Sequence, residues 1–330
     1  MNQSLEILPV PAGAHRVGTI KYDLIDPYRK DLKFPDGRLI PIQIYFPLSK
    51  GKHLVYPKIL EERAALGPFK PLHGKGYSQP TNLSFLTGTD HPIIFLNHGS
   101  CLTLTDYASI AEDLGSHGYV VITIQHDLQM DEEGPAFWEG RSCSRNAKVI
   151  DNILYVFEWL KQQHRILFNE RINLKRIGFI GHSFGGNSLL FWINRTLDVF
   201  QQDPRTALLV REDQNDVEEC LILMETTRYS FPFNSRYPLF FLFAEERESY
   251  QKATGCYEQM IRAGHEVRYY KGSTHISFMD HGYISPPIPT YLDEPYFKGT
   301  TEERRMFFDE LRRDTRKFLK QHLSSDSTTA

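Results

Sequence analysis

The spacing of hydrophobic and polar positions changes period several times along the chain, and the changes mark its elements. Between residues 38 and 46 the pattern alternates, with Ile40, Ile42, Ile44 and Phe46 on one face behind a turn at Asp36-Gly37. This predicts a strand in an antiparallel pair. Pro41 has no N–H to give a ladder, which puts that strand at a sheet edge. Residues 48–90 break into Pro, Gly, Lys and His around one short helical stretch at 59–66, as in an access loop or lid. Beyond them, short continuous apolar runs at 92–97, 119–125 and 176–180 read as fully buried parallel strands. Helical spacing fills the intervals. Tyr107, Ile110 and Leu114 share a face over 106–117, with Gly118 as the stop. Val149, Ile153, Val156, Phe157 and Leu160 do the same after an acidic loop running to about residue 144.

The rhythm then repeats, with a helix at 187–197, strands at 220–224, 239–243 and 266–270, and a helix over 249–263 ended by Gly264. A Pro- and aromatic-rich loop at 281–299 precedes a closing helix, whose Thr300-Thr301-Glu302-Glu303 start has capping-box spacing. Leu311, Thr315, Phe318 and His322 share one face of it. Alternating β and α elements predict a doubly wound, mostly parallel α/β sheet preceded by antiparallel strands. We expect one domain over 1–330, with 48–90 and 281–299 as insertions and 324–330 as a polar tail.

Composition narrows the class. The 330 residues are 41% hydrophobic and 24% charged, with a formal net charge of −3. Those values argue against disorder and leave no global pull toward nucleic acid or an anionic membrane. Cys101, Cys143, Cys220 and Cys256 are widely spaced with no CxxC pair, which argues against a disulfide framework and a zinc site. The first residues lack a basic-then-apolar leader, Asn2 stands where myristoylation needs glycine, and no apolar run reaches the ~18 residues of a membrane span. A soluble, cytoplasmic chain is the expectation.

The chemistry concentrates in Gly181-His182-Ser183-Phe184-Gly185, a G-x-S-x-G pattern between a predicted strand and a predicted helix. That context is the nucleophile elbow of the α/β-hydrolase fold, a tight turn that lifts a serine Oγ clear of the sheet at a helix N-terminus. A serine nucleophile needs a base, which this fold supplies after its last strand. Gly272-Ser273-Thr274-His275 follows the run at 266–270, so His275 is the candidate and His281 its nearest rival. His98, His126 and His182 read as structural or supporting groups. The oxyanion site needs two convergent main-chain N–H groups. One is that of Phe184, after the nucleophile, and Asn97-His98-Gly99-Ser100 at the end of the first buried run offers the amide of Ser100. The acid stands between serine and histidine in chain order, at Glu225 after one strand or at Glu245, Glu246 or Glu248 after the next. A carboxylate at a buried strand end is costly without a partner, which favours Glu225, whereas the later cluster looks like a solvated face.

Seven segments in order carry a resemblance: IPIQIYFP (40–47), NHGS (97–100), LGSHGYVVITIQH (114–126), GHSFGG (181–186), ECLILME (219–225), YPLFFLFAEE (237–246) and GSTHISF (272–278). Together they resemble the plasma/type II platelet-activating factor acetylhydrolase family, calcium-independent and serine-dependent phospholipases. The resemblance implies an α/β-hydrolase fold and a triad in which Ser183 and His275 match directly. Glu225 holds the position of the family's aspartate and is one methylene longer. The Ser100 and Phe184 amides match the oxyanion donors, although Ser100 stands where bulkier residues are common. His126-Asp127 is followed by Leu128-Gln129-Met130-Asp131, where a small-residue loop is expected. No metal or organic cofactor is implied. The implied substrate is a phospholipid with a short or oxidised sn-2 acyl group.

Two other readings stand beside this one. A general carboxylesterase or polyester hydrolase shares the machinery but differs in its pocket. A non-catalytic hydrolase-fold binding protein predicts no covalent labelling of Ser183. Tyr283, Ile284, Ile288, Tyr291, Leu292, Tyr296 and Phe297 either rest transiently on a lipid surface or pack over the sheet. The oligomeric state has no signature in the sequence.

Overall fold

The structure is a computed structural model that describes residues 8–29, 34–58, 74–100, 102–126, 142–195, 218–226, 237–283 and 297–323. Two long strands come first, β1 (His15–Asp26) and β2 (Arg38–Lys50), paired antiparallel. Three short ones follow: β3 (Tyr56–Lys58), β4 (Gly74–Gly76) and β5 (Ser78–Pro80). Then come β6 (His91–Asn97), α1 (Ala108–Ser116), β7 (Val120–Ile124), α2 (Ser142–Phe168), β8 (Ile172–His182) and α3 (Phe184–Arg195). The last part holds β9 (Glu218–Met224), β10 (Leu239–Ala244), α4 (Glu245–Ala253), α5 (Cys256–Arg262), β11 (Glu266–Tyr270), α6 (Asp280–Tyr283) and α7 (Thr301–Leu323).

Among the described residues the main sheet runs β11-β10-β9-β8-β6-β7-β2-β1-β5. From β7 to β11 every neighbouring pair is parallel. This is the α/β-hydrolase fold, with its antiparallel strands at the N-terminal end of the sheet.

The continuous apolar runs have a simple cause: successive side chains point to opposite faces, and both faces are covered. In β6, Ile93 and Phe95 enter the core beneath α2 and α3, while Ile94 and Leu96 enter the core beneath α1 and α7. β10 divides the same way, with Leu239, Phe241 and Phe243 on the first face and Phe240, Leu242 and Ala244 on the second. Full burial of each large apolar side chain stabilises the fold by roughly 1.5–3 kcal/mol. At the start of α7, the Thr300 Oγ accepts from the Glu303 N–H at 3.2 Å and Glu303 accepts from the Thr300 N–H at 2.8 Å. That is the reciprocal pair the capping-box spacing requires.

Several expectations change. β2 is an interior strand between β7 and β1, not an edge. Pro41 is tolerated because it sits just past the β7 ladder, where its carbonyl accepts from Gln125 N–H and no donor is required of it. Residues 48–90 are more than a loop, since β5 extends the sheet beside β1 and β3 pairs with β4. The helical stretch at 59–66 lies outside the described residues. The helix expected over 249–263 is two, α4 and α5, divided where Gly255 takes φ 72. His281 belongs to α6. Of the aromatic loop, 284–296 lie outside the described residues. Its two flanking aromatics turn inward, Tyr283 onto Phe308 and Phe297 onto Phe307.

Candidate active site

Strand order fixes where a site can form. The chain passes from β6 to β7 on one side and then returns to lay β8 on the other side of β6. Where order reverses, loops leave the carboxyl ends of neighbouring strands in opposite directions and open a crevice. Asn97 at the end of β6 is in register with Gly181 near the end of β8, so both motif loops rise from this point.

Ser183 is the single residue between β8 and α3, and its φ of 51 lies in the left-handed region. Such a conformation costs a non-glycine residue about 1–2 kcal/mol and persists only when surroundings over-determine it. Here the Ser183 N–H donates to the Met224 carbonyl at 2.8 Å, and its own carbonyl accepts from Asn187 N–H at 2.9 Å. Gly185 lets the elbow seat on the β6 loop, because a Cβ there would stand 2.4 Å from the Asn97 carbonyl oxygen.

His275 opens a 3₁₀ turn, His275–Phe278, held by reciprocal bonds between Thr274 and Ser277. The approach to the turn is tied down where Gly272 N–H donates to the Glu245 carboxylate at 2.9 Å. His275 Nε2 lies 3.0 Å from Ser183 Oγ, and Nδ1 lies 3.0 Å from Glu225 Oε2. Glu225 is fully buried directly after β9 and, like Ser183, has a φ of 51. Its other oxygen accepts from the Ala244 N–H, and Arg247 Nε donates to Oε2 at 3.3 Å. Burial pushes the Glu225 carboxyl up. The hydrogen bond and charge of His275, the Ala244 N–H and the Arg247 guanidinium outweigh it and bring the group below its ordinary value. A hydroxyl, an imidazole and an ionised carboxylate thus form one hydrogen-bonded line, the geometry that activates a serine for attack on a carbonyl.

The rival acids lie elsewhere. Glu245 holds Gly272, Glu246 pairs with Lys298 at 2.7 Å, and Glu248 pairs with Lys252 along α4. Phe184 is the first residue of α3, whose N–H has no partner inside the helix. Ser100 lies on the β6 loop, and a Cβ on the adjoining Gly99 would stand 3.2 Å from that of Ser183. Among the described residues, no group of three or more His, Cys, Asp or Glu is placed to hold a metal ion. No helix among them is long and apolar enough to cross a membrane.

No protein-family model matches the chain. A probable 1-alkyl-2-acetylglycerophosphocholine esterase of Arthroderma benhamiae is 30% identical over 218 residues, 56% of this chain and 54% of that protein. The platelet-activating factor acetylhydrolase of Canis lupus familiaris is 23% identical over 267 residues, 64% of this chain and 53% of that protein. The chain therefore spans about half the length of the curated relatives it matches. A ferulic acid esterase from Streptomyces cinnamoneus superposes with a TM-score of 0.67 at 18% identity, covering 97% of this chain and 94% of the other. That likeness is one of fold.

His182 is a supporting group, as its place in the sequence suggests, but the partners through which it braces the site carry no sequence signal. Helical spacing places Tyr107 on a buried face and says nothing of its hydroxyl, which lies 2.7 Å from His182 Nδ1 and accepts from Gly99 N–H at 3.3 Å. His182 Nε2 donates to the His275 carbonyl at 2.9 Å, so a buried imidazole links the elbow to the base loop. Arg247, beside Glu225, carries no signal that separates it from the charged face of α4. Burial first, and then the charge of His275, push the His182 imidazole down to about 3. Burial likewise holds His126 well below its ordinary value.

Both histidines therefore remain neutral in the fold and take up a proton on unfolding once the pH is below about 6.5. The unfolded state binds more protons in that window, so stability falls as the pH falls toward 3. His182 alone is expected to cost about 1–2 kcal/mol between pH 7 and pH 5, and His126 adds to the loss in the same direction. Urea unfolding at the two pH values checks this. The loss should be smaller in His182→Asn, and an unchanged difference would contradict the assignment.

Proposed function

We propose that the chain is a serine-dependent carboxylic ester hydrolase carried by a single α/β-hydrolase domain, with Ser183 as nucleophile, His275 as base and Glu225 as acid. The observation that carries the proposal is the continuous line Glu225–His275–Ser183, with 3.0 Å on each side of the imidazole, at a strained elbow. In the reaction Ser183 Oγ attacks the ester carbonyl carbon as His275 Nε2 takes its proton. The carbonyl oxygen, now an anion, accepts from the N–H groups of Ser100 and Phe184. Collapse breaks the ester C–O bond, and the departing alcohol takes the proton from His275. Water then attacks the acyl-enzyme, giving its proton to His275, and the carboxylic acid leaves as Ser183 regains a proton.

For the substrate we propose a phospholipid with a short or oxidised sn-2 acyl group. The two curated relatives support this choice, one named a glycerophosphocholine esterase and the other a platelet-activating factor acetylhydrolase. Hydrolysis of phosphatidylcholines graded by sn-2 chain length, run beside a soluble p-nitrophenyl ester, tests it. We expect the rate to fall about tenfold or more from acetyl to a long acyl chain, the scale of discrimination a shaped apolar pocket supplies. Turnover of the soluble ester alone would leave a general carboxylesterase. Absence of all turnover, together with no labelling of Ser183 by a fluorophosphonate, would leave a non-catalytic binding protein.

A further inference from the structure

We infer that His98 is a positioning residue for the oxyanion site, holding the Gly99–Ser100 peptide so that the Ser100 N–H faces the reaction centre. The inference rests on the ester-hydrolase reading. His98 is almost fully buried just past the end of β6 and stands outside the hydrogen-bonded line of Ser183, His275 and Glu225. Its protonation follows from its neighbours. The His126 main-chain N–H, which can only donate, lies 3.1 Å from His98 Nε2. Gln125 Nε2 approaches the same nitrogen at 3.3 Å, and the side chain is held in that orientation because Oε1 accepts from Leu104 N–H at 3.0 Å. His98 Nε2 is therefore an acceptor, and the ring proton sits on Nδ1. That N–H donates to the Gly99 carbonyl at 2.7 Å.

A trans peptide sets its C=O and N–H on opposite sides. With the Gly99 carbonyl drawn to His98, and also accepting from Leu102 N–H at 3.3 Å, the Ser100 N–H is directed away from them. Among the described residues no main-chain acceptor is paired with it. The bracing is needed because Gly99 has no Cβ to limit rotation. A flipped peptide would present a carbonyl oxygen where the developing oxyanion needs a donor. Rigid strands anchor the ring's support: His126 Nε2 donates to Asn97 Oδ1 at 3.0 Å, and Asn97 Nδ2 donates to the Ile180 carbonyl of β8 at 3.2 Å.

Two amide substitutions separate this role from packing. In His98→Asn the side-chain NH2 falls where Nδ1 stands and can still donate to Gly99. In His98→Gln the amide reaches the Nε2 position, keeping the contact with His126 but losing the donor to Gly99. Loss of one oxyanion donor lowers kcat by about 10²–10³. A misaimed donor should therefore lower kcat in His98→Gln by roughly 10–100-fold with KM within about threefold, while His98→Asn stays within about fivefold of wild type. Equal activity in the two variants, or losses in both that track a common fall in unfolding temperature, would overturn the assignment. Ser183→Ala is carried in parallel. Turnover that survives it, or a wild type without turnover, sinks the ester-hydrolase reading itself, whereas failure of the Asn/Gln contrast in an enzyme that needs Ser183 sinks only the role of His98.

Discussion

Replacing Ser183 with Ala is expected to lower kcat on a short-chain ester by about 10⁴–10⁶, leaving the fold intact. The size follows from the way a nucleophile and its base act as a unit: once the hydroxyl is gone, His275 has no proton to take and no acyl-enzyme forms. What remains is the acceleration available from the oxyanion donors and from binding. Stability should change by less than about 1 kcal/mol, because the bonds that hold position 183 are main-chain bonds, to Met224 and Asn187, and Ala keeps both. The left-handed φ of 51 is no harder for Ala than for Ser, since both carry a Cβ. Steady-state kinetics with an unfolding curve for each protein decide the matter. A variant that keeps more than a few per cent of wild-type kcat would exclude Ser183 as the nucleophile.

Elements buried on both faces were readable in the sequence, because full burial writes itself as an unbroken apolar run. Ile93 to Leu96 and Leu239 to Phe243 are examples, each dividing its side chains between two cores. The elbow was readable for a different reason. Its requirements are local: a serine in a forced conformation between glycines whose missing Cβ atoms make room for neighbouring main chain. Local signals mislead when the deciding fact is tertiary. Pro41 suggested an edge, but what matters is where the β7 ladder stops, and nothing near Pro41 records that. Gly255 divides α4 from α5 inside a stretch of otherwise helical composition. The bonds around Tyr107, His182 and His98 join residues up to 93 positions apart and follow no period, so no pattern announces them. For the acid, the cost of burying a carboxylate pointed to Glu225 over the α4 cluster. The structure sets Glu225 against His275 and gives Glu245, Glu246 and Glu248 to the surface network.

Glu225→Gln carries the second largest expected effect, a fall in kcat of about 10³–10⁴. The effect depends on which atom of the new amide faces the imidazole. Oε1 of Glu225 accepts from the Ala244 main-chain N–H, a group that can only donate. The introduced amide must therefore keep its oxygen there and present its NH2 where Oε2 now meets His275 Nδ1 and Arg247 Nε. Two donors would then oppose each other across the 3.0 Å contact unless the imidazole moves its proton from Nδ1 to Nε2. In that tautomer Nε2 can no longer accept from Ser183 Oγ, and the base is lost while the geometry survives. Glu246→Gln is the control. Its carboxylate pairs with Lys298 at the exposed end of the sheet, and activity should stay within about twofold. Because His275 and Arg247 help to hold the Glu225 carboxyl below its ordinary value, its contribution to stability is present above the ordinary carboxylate range and is lost as the pH falls through the lowered value. The Gln variant should therefore lose stability at neutral pH and less of it in acid. Kinetics of both variants, with unfolding at about pH 7 and about pH 4, check the two halves together. Full activity in Glu225→Gln beside a collapse in Glu246→Gln would move the acid to α4.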